Sequence, residues 1–470
     1  MNATKILCTL GPATDPPGIV EALARAGMDG ARINFSHGGK DAQAPRVQAV
    51  REAEQALGRP LAVLADLQGP KIRIGRFPDG PVTLREGETI TIVPGDGPCD
   101  QTHLTVDYPD LATGAEPGRD IYLADGFLHL RIEKVEGDQV TAVVLRGGPL
   151  SDRKGVNLPG TDLKLPTLTD RDLRDASDAV DLGCDFIALS FVRKADDIVA
   201  LRDHLQKSGA AIPLIAKLER PEALDNLDAI LEAADGVMVA RGDLGVEVGM
   251  HKVPGLQKHI LARAQAAGKT AIVATQMLES MTTNPLPTRA EVSDVANAIV
   301  DGADVVMLSG ETAAGQFPVE TVTMMQTISR EARDLTCPTV ELETHDHDQV
   351  AAAVVGGVMA MIDKIAPVAV AAFTQSGFTA RLLAKRRPPV PVAALAPVEA
   401  VRRRCALYYG CIPLAIPDAR GADEMMKLTD KMMLAHDLAR PGERVLIVAG
   451  LPAGGSGTTN LIKVHKVQAP

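Results

Sequence analysis

From residue 4 to about residue 335, short apolar runs alternate with stretches in which apolar residues recur at helical spacing. This alternation is typical of repeated βα units, and eight units close a parallel sheet into a barrel. Doubly wound open sheets seldom contain so many regular repeats, so the sequence predicts an α/β protein built on a (β/α)8 barrel of the TIM type. The eight predicted strands cover residues 4–10, 30–35, 61–65, 186–189, 214–216, 236–240, 270–274 and 305–308.

The repeat is interrupted after the third predicted strand. Residues 71–156 show no long helical pattern and contain short β-like segments separated by Gly, Pro and Asp, which indicates an inserted all-β lid. The barrel is therefore predicted to be discontinuous, formed by residues 1–70 and 157–336. Residues 336–350 are polar without apolar periodicity and are interpreted as a linker. Residues 345–470 are predicted to form a C-terminal α/β regulatory domain.

Composition excludes several classes of function. A net charge of −11 argues against a general affinity for nucleic acid, and the absence of Trp, with only 3% aromatic residues, argues against base stacking. The six cysteines form no CxxC pair. We see no signal peptide and no apolar run near the ~18 residues that a membrane span needs. We therefore expect a soluble cytoplasmic protein with reduced thiols that binds neither membrane nor nucleic acid.

Charged residues follow the fifth and sixth predicted strands. Lys217 and Glu219 are two positions apart and share one face of an extended chain, and Asp243 lies in the segment RGDLG that follows the sixth strand. Ligands of barrel enzymes bind at the carboxyl ends of the strands. Two carboxylates and a lysine at this end suit a divalent metal beside a fixed cation. The alternative is a surface salt bridge between Lys217 and Glu219.

The second predicted strand carries a polar face. Arg32, Asn34 and Ser36 alternate with Ile33 and Phe35, so the three polar side chains are expected to point the same way. A half-exposed edge strand would show the same alternation, and that reading stays open on this pattern alone.

Together the strand ends resemble the pyruvate kinase family. The resemblance runs with specific motifs from residue 4 to about residue 332 and continues more loosely to the end of the chain. The motifs, in order, are RINFSHG at 32–38, KGVNLPG at 154–160, KLE at 217–219, ARGDLG at 240–245, ATQMLESM at 274–281, PTRAE at 287–291 and LSGET at 308–312.

The resemblance implies glycolytic phosphoryl transfer from phosphoenolpyruvate to ADP, giving ATP and enolpyruvate, which is protonated to pyruvate. It implies that Glu219 and Asp243 bind Mg²⁺ or Mn²⁺, and that Lys217 stabilises the transferring phosphoryl group and the enolate. It also implies that Arg32 contacts that phosphoryl group. Such a reaction depends on charge neutralisation and alignment more than on covalent chemistry.

Further site residues follow from the resemblance. The backbone N–H groups of Gly242 and Asp243 suit the substrate carboxylate, and Thr275 matches a substrate-contacting threonine near the protonated carbon. A proton chain that includes Ser309 and Glu311 stays one option for the donor. The residues matching the nucleotide site are Asn34, Phe35, Ser36, His37, Arg73 and Lys154.

Arg73 and Lys154 lie at the two borders of the lid, so a mobile lid would bring phosphate-binding cations over the site and exclude water. The alternative for either residue alone is a solvated surface charge. Whether the lid cations reach the barrel is a question of geometry that the sequence leaves open.

Many members of the family require K⁺, held by residues that correspond to Asn34, Ser36 and Asp66 and by the backbone of the residue after Asp66. All three side chains are present here, but Lys71 stands where the K⁺-dependent pattern has Glu. Our hypothesis is that its tethered ammonium makes K⁺ dispensable. The K⁺-dependent pattern has Thr, Lys, Glu and Thr at the positions of Leu67, Gln68, Lys71 and Ile74.

The C-terminal region resembles the family's allosteric domain. Its first effector loop carries Phe378 in place of a frequent Arg, and the second loop, at 451–460, lacks a frequent Trp. We expect a phosphorylated effector such as a sugar monophosphate or AMP, and a homotetramer by resemblance. The alternative is a structural turn that supports subunit contacts. The predicted effector-phosphate residues are Thr374, Gln375, Ser376, Gly377 and Thr379.

Two other functions are compatible with parts of this pattern. Another Mg²⁺-dependent barrel enzyme with an enolpyruvate-type substrate, such as an aldolase, would not need Arg73 and Lys154 on a lid, nor ADP. A non-catalytic sensor of phosphorylated metabolites would be expected to have lost at least one of the residues that carry the chemistry. These are intact: Arg32, Lys217, Glu219, Asp243 and Thr275.

Overall fold

The structure is a computed structural model that describes residues 3–161, 165–333, 335, 341–343, 349–451 and 459–469. Its strands, in chain order, are β1 Lys5–Thr9, β2 Gly30–Asn34, β3 Ala62–Asp66, β4 Val82–Leu84, β5 Thr89–Pro94, β6 His103–Val106, β7 Asp120–Leu123, β8 Leu128–Glu136, β9 Gln139–Arg146, β10 Gly148–Leu150, β11 Val156–Asn157, β12 Phe186–Leu189, β13 Leu214–Leu218, β14 Gly236–Ala240, β15 Thr270–Ala274, β16 Val305–Leu308, β17 Ala369–Phe373, β18 Val392–Ala396, β19 Cys411–Ala415, β20 Arg444–Ala449 and β21 Leu461–Lys466.

The helices connect these strands and cover the barrel. They are α1 Ile19–Ala26, α2 Lys40–Leu57, α3 Leu111–Gly114, α4 Asp170–Asp181, α5 Ala195–Lys207, α6 Pro221–Asp225, α7 Leu227–Ala233, α8 Arg241–Val248, α9 Val253–Ala266, α10 Arg289–Val300, α11 Gly310–Ala313, α12 Pro318–Ala332, α13 Gln349–Ile365, α14 Phe378–Lys385, α15 Glu399–Cys405 and α16 Ala422–Ala435.

The eight predicted barrel strands all form, and they close in the order β1-β16-β15-β14-β13-β12-β3-β2 with parallel pairing throughout. Seven of the eight strands are buried on both faces, as expected when helices cover a parallel sheet. β2 is partly exposed at Arg32 and Asn34. Outward side chains such as Ile6 pack with the helices, and inward ones such as Leu64 and Met238 fill the interior. The predicted (β/α)8 barrel is confirmed.

The inserted lid has a core of its own. Its main sheet runs in the order β11-β7-β8-β9-β5-β6, and β4 pairs with β10 in a second sheet. An antiparallel bridge between Arg73 and Gly155 holds the outgoing and returning segments together where the lid meets the barrel. The two lid borders are therefore neighbours in space, which places Arg73 and Lys154 side by side.

The C-terminal sheet has the order β19-β18-β17-β20-β21, parallel except for β21. Its helix α15 and the following Leu407 and Tyr408 share one hydrophobic core with the barrel interior. A side-chain carbon on Gly30 of β2 would lie 3.1 Å from the Leu407 side chain, which shows how closely this domain approaches the barrel. The domain thus closes the end of the barrel opposite the predicted site.

Some predicted elements differ from the structure. Apolar residues at helical spacing over 220–233 predict one helix, but the structure divides it at Asn226 into α6 and α7. The strand expected over 30–35 ends at Asn34. Sequence reasoning did not find β19, β21 or α15. The predicted linker, 336–350, lies largely outside the described residues. Within the described ranges, no helix is long and apolar enough to cross a bilayer.

A buried ion pair joins the C-terminal domain to the barrel. Lys385, at the end of α14, donates to Asp304 across 2.6 Å, and both side chains are almost fully buried. Asp304 also accepts a hydrogen bond from the backbone N–H of Ala271, the second residue of β15. Burial lowers the pKa of Lys385, and the charge of Asp304 offsets only part of that effect.

We expect Lys385→Met to reduce the free energy of unfolding by ~3–5 kcal/mol, because it strands the buried carboxylate of Asp304 without a partner. The double variant Lys385→Met/Asp304→Asn should recover much of that loss. The measurement is urea unfolding followed by circular dichroism.

The matched control is Lys40→Met, which removes an exposed pair with Asp181 and should leave the free energy of unfolding almost unchanged, because exposed ion pairs contribute little. If Lys385→Met lowered the free energy of unfolding no more than Lys40→Met, the buried pair would not stabilise the contact between the barrel and the C-terminal domain.

Candidate active site

A cleft of about 680 Å³ opens between the carboxyl ends of the barrel strands and the lid. It collects most of the residues predicted from the strand ends and from the lid borders. The predicted residues that line it are Arg32, Asn34, Ser36, His37, Asp66, Lys71, Arg73, Lys154, Lys217, Glu219 and Asp243.

Asp66, the last residue of β3, is the centre of the cleft floor. Its Oδ2 accepts Arg32 Nε at 2.7 Å, and its Oδ1 lies 3.1 Å from Lys217 Nζ. The three side chains come from β2, β3 and β13, so strand pairing sets their spacing. One buried carboxylate therefore aligns two cations toward the same space.

Lys217 is held by further contacts. Its Nζ lies 3.0 Å from Glu219 Oε1 and donates to Ser190 Oγ at 2.6 Å. The hydroxyl of Ser190 in turn donates to the carbonyl of Leu67 at 2.7 Å. The Lys217 and Glu219 side chains are only 11% and 2% exposed, so the alternative of a surface salt bridge is wrong.

The charges of this network oppose the effect of burial. Burial alone would raise the pKa of the Asp66 carboxyl, but Lys217 and Arg32 together hold it below its usual value. Burial would lower the pKa of Lys217, and Asp66 and Glu219 raise it instead. Both groups are therefore charged at neutral pH.

Glu219 behaves differently. Burial and the nearby carboxylate of Asp243 raise its pKa against the influence of Lys217. The backbone N–H of Phe191 donates to Glu219 Oε2 at 2.7 Å and fixes the carboxylate. Two carboxylates that crowd each other in a buried cleft suit a divalent cation, which would relieve their repulsion.

Among the described residues, no three His, Cys, Asp or Glu side chains converge to form an all-protein metal site. A pair of carboxylates with open coordination positions fits Mg²⁺, which keeps oxygen ligands from water and substrate. Glu219 and Asp243 thus fit the predicted ion, with other positions left for substrate oxygens.

Lys71 contacts acidic residues of both the barrel and the lid. Its Nζ is 3.3 Å from Asp243 Oδ1 and 3.3 Å from Asp125 Oδ1 of the lid, and neither contact involves Asn34, Ser36 or Asp66. Burial would lower the pKa of Lys71, and Asp243 and Asp125 raise it. The ammonium therefore bridges the lid and the predicted metal ligand.

Gly242 and Thr275 contact each other rather than lining the cleft. The Gly242 N–H donates to Thr275 Oγ1 at 2.9 Å, and Thr275 has a φ of 70°. Arg241 supports this loop by donating to the Thr275 carbonyl at 2.7 Å. A non-glycine residue at positive φ stores backbone strain, which persists only where neighbouring contacts impose it.

The proposed proton chain has two distinct parts. Glu311 is fully buried and accepts the N–H groups of Ser309 and Leu278 at 2.6 and 3.2 Å, so its contacts anchor backbone. Ser309 Oγ is buried and makes no hydrogen bond within the described part of the chain. The hydroxyl of Ser309 thus has no hydrogen-bond partner among the described residues, whereas Glu311 is committed to the loop.

The predicted nucleotide loop follows β2. Asn34 Oδ1 accepts the Ser36 N–H at 3.1 Å and starts a short 3₁₀ helix over Phe35–His37. The Phe35 side chain is fully buried among core residues, so only the backbone of Phe35 can contact a ligand of this loop. Burial and the charges of Arg32 and Arg73 lower the pKa of His37.

Ser190 and Asp125 are among the cleft residues that sequence reasoning missed. Ser190 directly follows β12, so its position at a strand end was a signal that could have been used. Asp125 lies in the turn between β7 and β8, and only the docking of the lid brings it to Lys71. No local pattern predicts that contact.

The predicted effector residues lie in the C-terminal domain. Thr374 Oγ1 accepts the Gly377 N–H at 2.9 Å, and the Thr379 and Thr459 hydroxyls lie 2.7 Å apart, which joins the two predicted loops. Ser376 lines a cavity of about 300 Å³ between this domain and the barrel. Most of the second loop, 452–458, lies outside the described residues.

Comparison with known proteins gives one consistent result. Residues 1–322 match the family model "Pyruvate kinase, barrel domain", and residues 352–465 match "Pyruvate kinase, alpha/beta domain". The chain is 44% identical over 465 residues to the pyruvate kinase of Mycobacterium tuberculosis, covering 98% of both chains. Identity is 44% over 462 residues to that of Corynebacterium glutamicum, covering 98% of this chain and 97% of the relative. For that of Geobacillus stearothermophilus it is 42% over 474 residues, with coverage of 99% and 80%.

Asp66→Asn should lower the pKa of Lys217, because it removes a negative charge that favours the ammonium. At a given alkaline pH, more of the Lys217 amine is then neutral and nucleophilic. The measurement is the rate of acetylation of Lys217 between pH 8 and 11, followed by peptide mass spectrometry.

Lys40 is the internal reference in the same digests. It pairs with Asp181 on the surface, so Asp66→Asn should not change its rate of acetylation. An unchanged ratio of Lys217 to Lys40 acetylation would mean that Asp66 does not control the charge of Lys217.

Proposed function

The chain belongs to the pyruvate kinase family of glycolytic phosphotransferases, and we propose that the cleft between its barrel and lid performs the family's reaction with the residues described above. The substrates are phosphoenolpyruvate and ADP, and the products are pyruvate and ATP. The observation that carries the assignment of roles is the pairing of Arg32 and Lys217 with one buried carboxylate, Asp66, at the mouth of the barrel.

The two aligned cations suit a phosphoryl group. An oxygen of the ADP β-phosphate attacks phosphorus, the bond from phosphorus to the enol oxygen breaks, and negative charge moves onto that oxygen. Lys217 and Arg32 are preorganised by Asp66, so little reorganisation is needed when this charge develops. The enolate then takes a proton at carbon, for which the unpaired hydroxyl of Ser309 is one route.

Glu219 and Asp243 would hold Mg²⁺ or Mn²⁺, which supplies Lewis-acid charge for substrate oxygens when bound. Without that ion, the ammonium of Lys71 balances the negative charge of the Asp243 carboxylate. Gly242 directly precedes Asp243, which lines the cleft, and a substrate carboxylate would compete for the Gly242 N–H that Thr275 now accepts.

ADP is proposed to bind along Asn34, Ser36, His37 and the backbone of Phe35, with Arg73 and Lys154 contributed from the lid. Burial, with the charges of the surrounding arginines, lowers the pKa of His37 and favours its neutral form, so this ring offers a hydrogen-bonding group rather than a charge. The opposing lid and barrel walls would exclude water from the transferring group.

Other parts of the assignment stay predictions. They are the division into residues 1–70 with 157–336, 71–156 and 345–470, the phosphorylated effector at Thr374–Gly377 and Thr379, a homotetramer, and a cytoplasmic location. The hydroxyl contact between Thr379 and Thr459 supports an effector pocket made from both loops.

The first test is pyruvate formation from phosphoenolpyruvate, ADP and Mg²⁺. Lys217→Met should lower kcat by ~10³-fold or more, because it removes a preorganised charge at the developing anion. Lys134→Met, an exposed lid change whose lysine pairs with Glu136, is the matched control and should stay within twofold of the unmodified protein.

Three results would contradict the assignment. Turnover without ADP would favour an aldolase-type enzyme, and tight binding of phosphoenolpyruvate by a folded protein without turnover would favour a sensor. Full activity of Lys217→Met would remove that residue from the mechanism.

We also propose that this enzyme does not require K⁺. Both oxygens of Asp66 already face cations, and Lys71 adds a fixed ammonium at Asp243. Activity in tetramethylammonium buffer should therefore be within about threefold of that in K⁺ buffer, since the local charge is supplied covalently.

Lys71→Glu should create a clear stimulation by K⁺, because it replaces the fixed cation with an anion. The same exchange at an exposed lid position, Lys134→Glu, is the control. Strict dependence of the unmodified protein on K⁺ would refute the proposal while leaving the phosphotransferase assignment intact.

A further inference from the structure

The loop that follows β2 is shaped by a residue outside the cleft. After Asn34 the chain leaves the sheet, forms the 3₁₀ turn Phe35–His37 and continues through Gly38 at a φ of 126°. These residues no longer have strand partners, so their backbone carbonyl groups need other donors. The donors come largely from two side chains, those of Gln43 and Arg171.

Gln43, in the first turn of α2, is fully buried. The two N–H groups of its Nε2 are shared among the carbonyls of Asn34, His37 and Gly38, at 3.2, 3.4 and 3.4 Å. It does not line the cleft. These three carbonyl oxygens are therefore turned inward, away from the space where phosphates would lie.

The orientation of the Gln43 amide is set by a neighbour on the same helix. Arg46 Nη1 donates to Gln43 Oε1 at 3.1 Å, and a guanidinium has no acceptor. The oxygen of the amide must therefore face Arg46, and the NH₂ group must face the loop. Arg46 is itself fixed by two hydrogen bonds to Asp15, at 2.7 and 2.9 Å.

Arg171 of α4 completes the arrangement from the other side. Its Nη2 donates to the Phe35 carbonyl at 2.9 Å, and its Nη1 donates to Gln68 Oε1 at 2.8 Å. Side chains thus bind the carbonyls of Asn34, Phe35, His37 and Gly38. A fixed loop presents Ser36 and His37 to the cleft in one geometry.

We propose that Gln43 is a positioning residue for the nucleotide, oriented for this task by the Arg46–Asp15 pair. This inference rests on the proposed function of the loop as the ADP site. A carbonyl oxygen turned toward the cleft would repel the polyphosphate, and a loose loop would have to be ordered at each binding event. Gln43 prevents both effects without touching the ligand.

The test is Gln43→Met, which keeps the length of the side chain and removes its hydrogen-bonding groups. The KM for ADP should rise by ~10-fold, because the lost hydrogen bonds contribute about a factor of ten to the affinity of the ordered loop for ADP. The KM for phosphoenolpyruvate should stay within twofold. Gln48→Met, which changes an exposed glutamine of the same helix, is the matched control.

Gln43→Glu separates hydrogen bonding from packing, because it keeps the shape but directs a carboxylate oxygen toward the three carbonyls. It should raise the KM for ADP more than Gln43→Met does. Equal KM values for ADP in both variants and the unmodified protein would overturn the proposal, as would a parallel rise in both substrate KM values.

Should either buried change prevent folding, Asp15→Asn provides a second route, since Asp15 is exposed and acts only through Arg46. It should raise the KM for ADP by ~2–4-fold and leave that for phosphoenolpyruvate unchanged. An unchanged KM for ADP in this variant would contradict the role of the pair.

Calorimetric titration with Mg²⁺ and ADP keeps this inference separate from the proposed reaction. Weaker ADP binding by Gln43→Met in a protein without turnover would refute the reaction and retain the positioning role. Unchanged binding in an active enzyme would refute the positioning role alone.

Discussion

The buried carboxylate of Asp66 is the interaction on which the cleft depends. Arg32 and Lys217 are like charges that would separate if left alone, and Asp66 holds them within hydrogen-bonding distance of one group. The desolvation of these charges is incurred once, as the barrel closes, and does not recur with each catalytic cycle. Strand register supplies the distances, so a barrel that closed with another register would not form this site.

The barrel and most of the cleft could be predicted, because both follow from local patterns. Parallel strands buried on both faces give apolar runs, and their carboxyl ends meet at one edge, which predicted that Lys217, Glu219 and Asp243 lie together. The family resemblance added Arg32 as a phosphoryl contact and Asp66 only as a ligand of K⁺. The confirmed order of the eight strands shows how strongly this rule constrains the fold.

What could not be predicted depends on contacts between distant elements. The approach of Asp125 to Lys71 is set by how the lid docks, and the hydrogen bonds of Gln43 depend on a turn that bends back over α2. A glutamine side chain is uncharged and common in helices. Its presence in α2 therefore does not indicate from the sequence that it forms hydrogen bonds to the loop after β2. The break at Asn226 likewise interrupts a helical pattern that continues in the sequence.

The shared core of barrel and C-terminal domain has a consequence for how this chain can be recombined. Side chains inside the barrel pack directly against α15 and Tyr408, so the floor of the catalytic domain is built from another part of the gene. The lid, by contrast, has its own core and joins the barrel through two adjacent segments. Exchange of the lid would therefore leave the barrel core intact, whereas exchange of the C-terminal domain would remove side chains from that core.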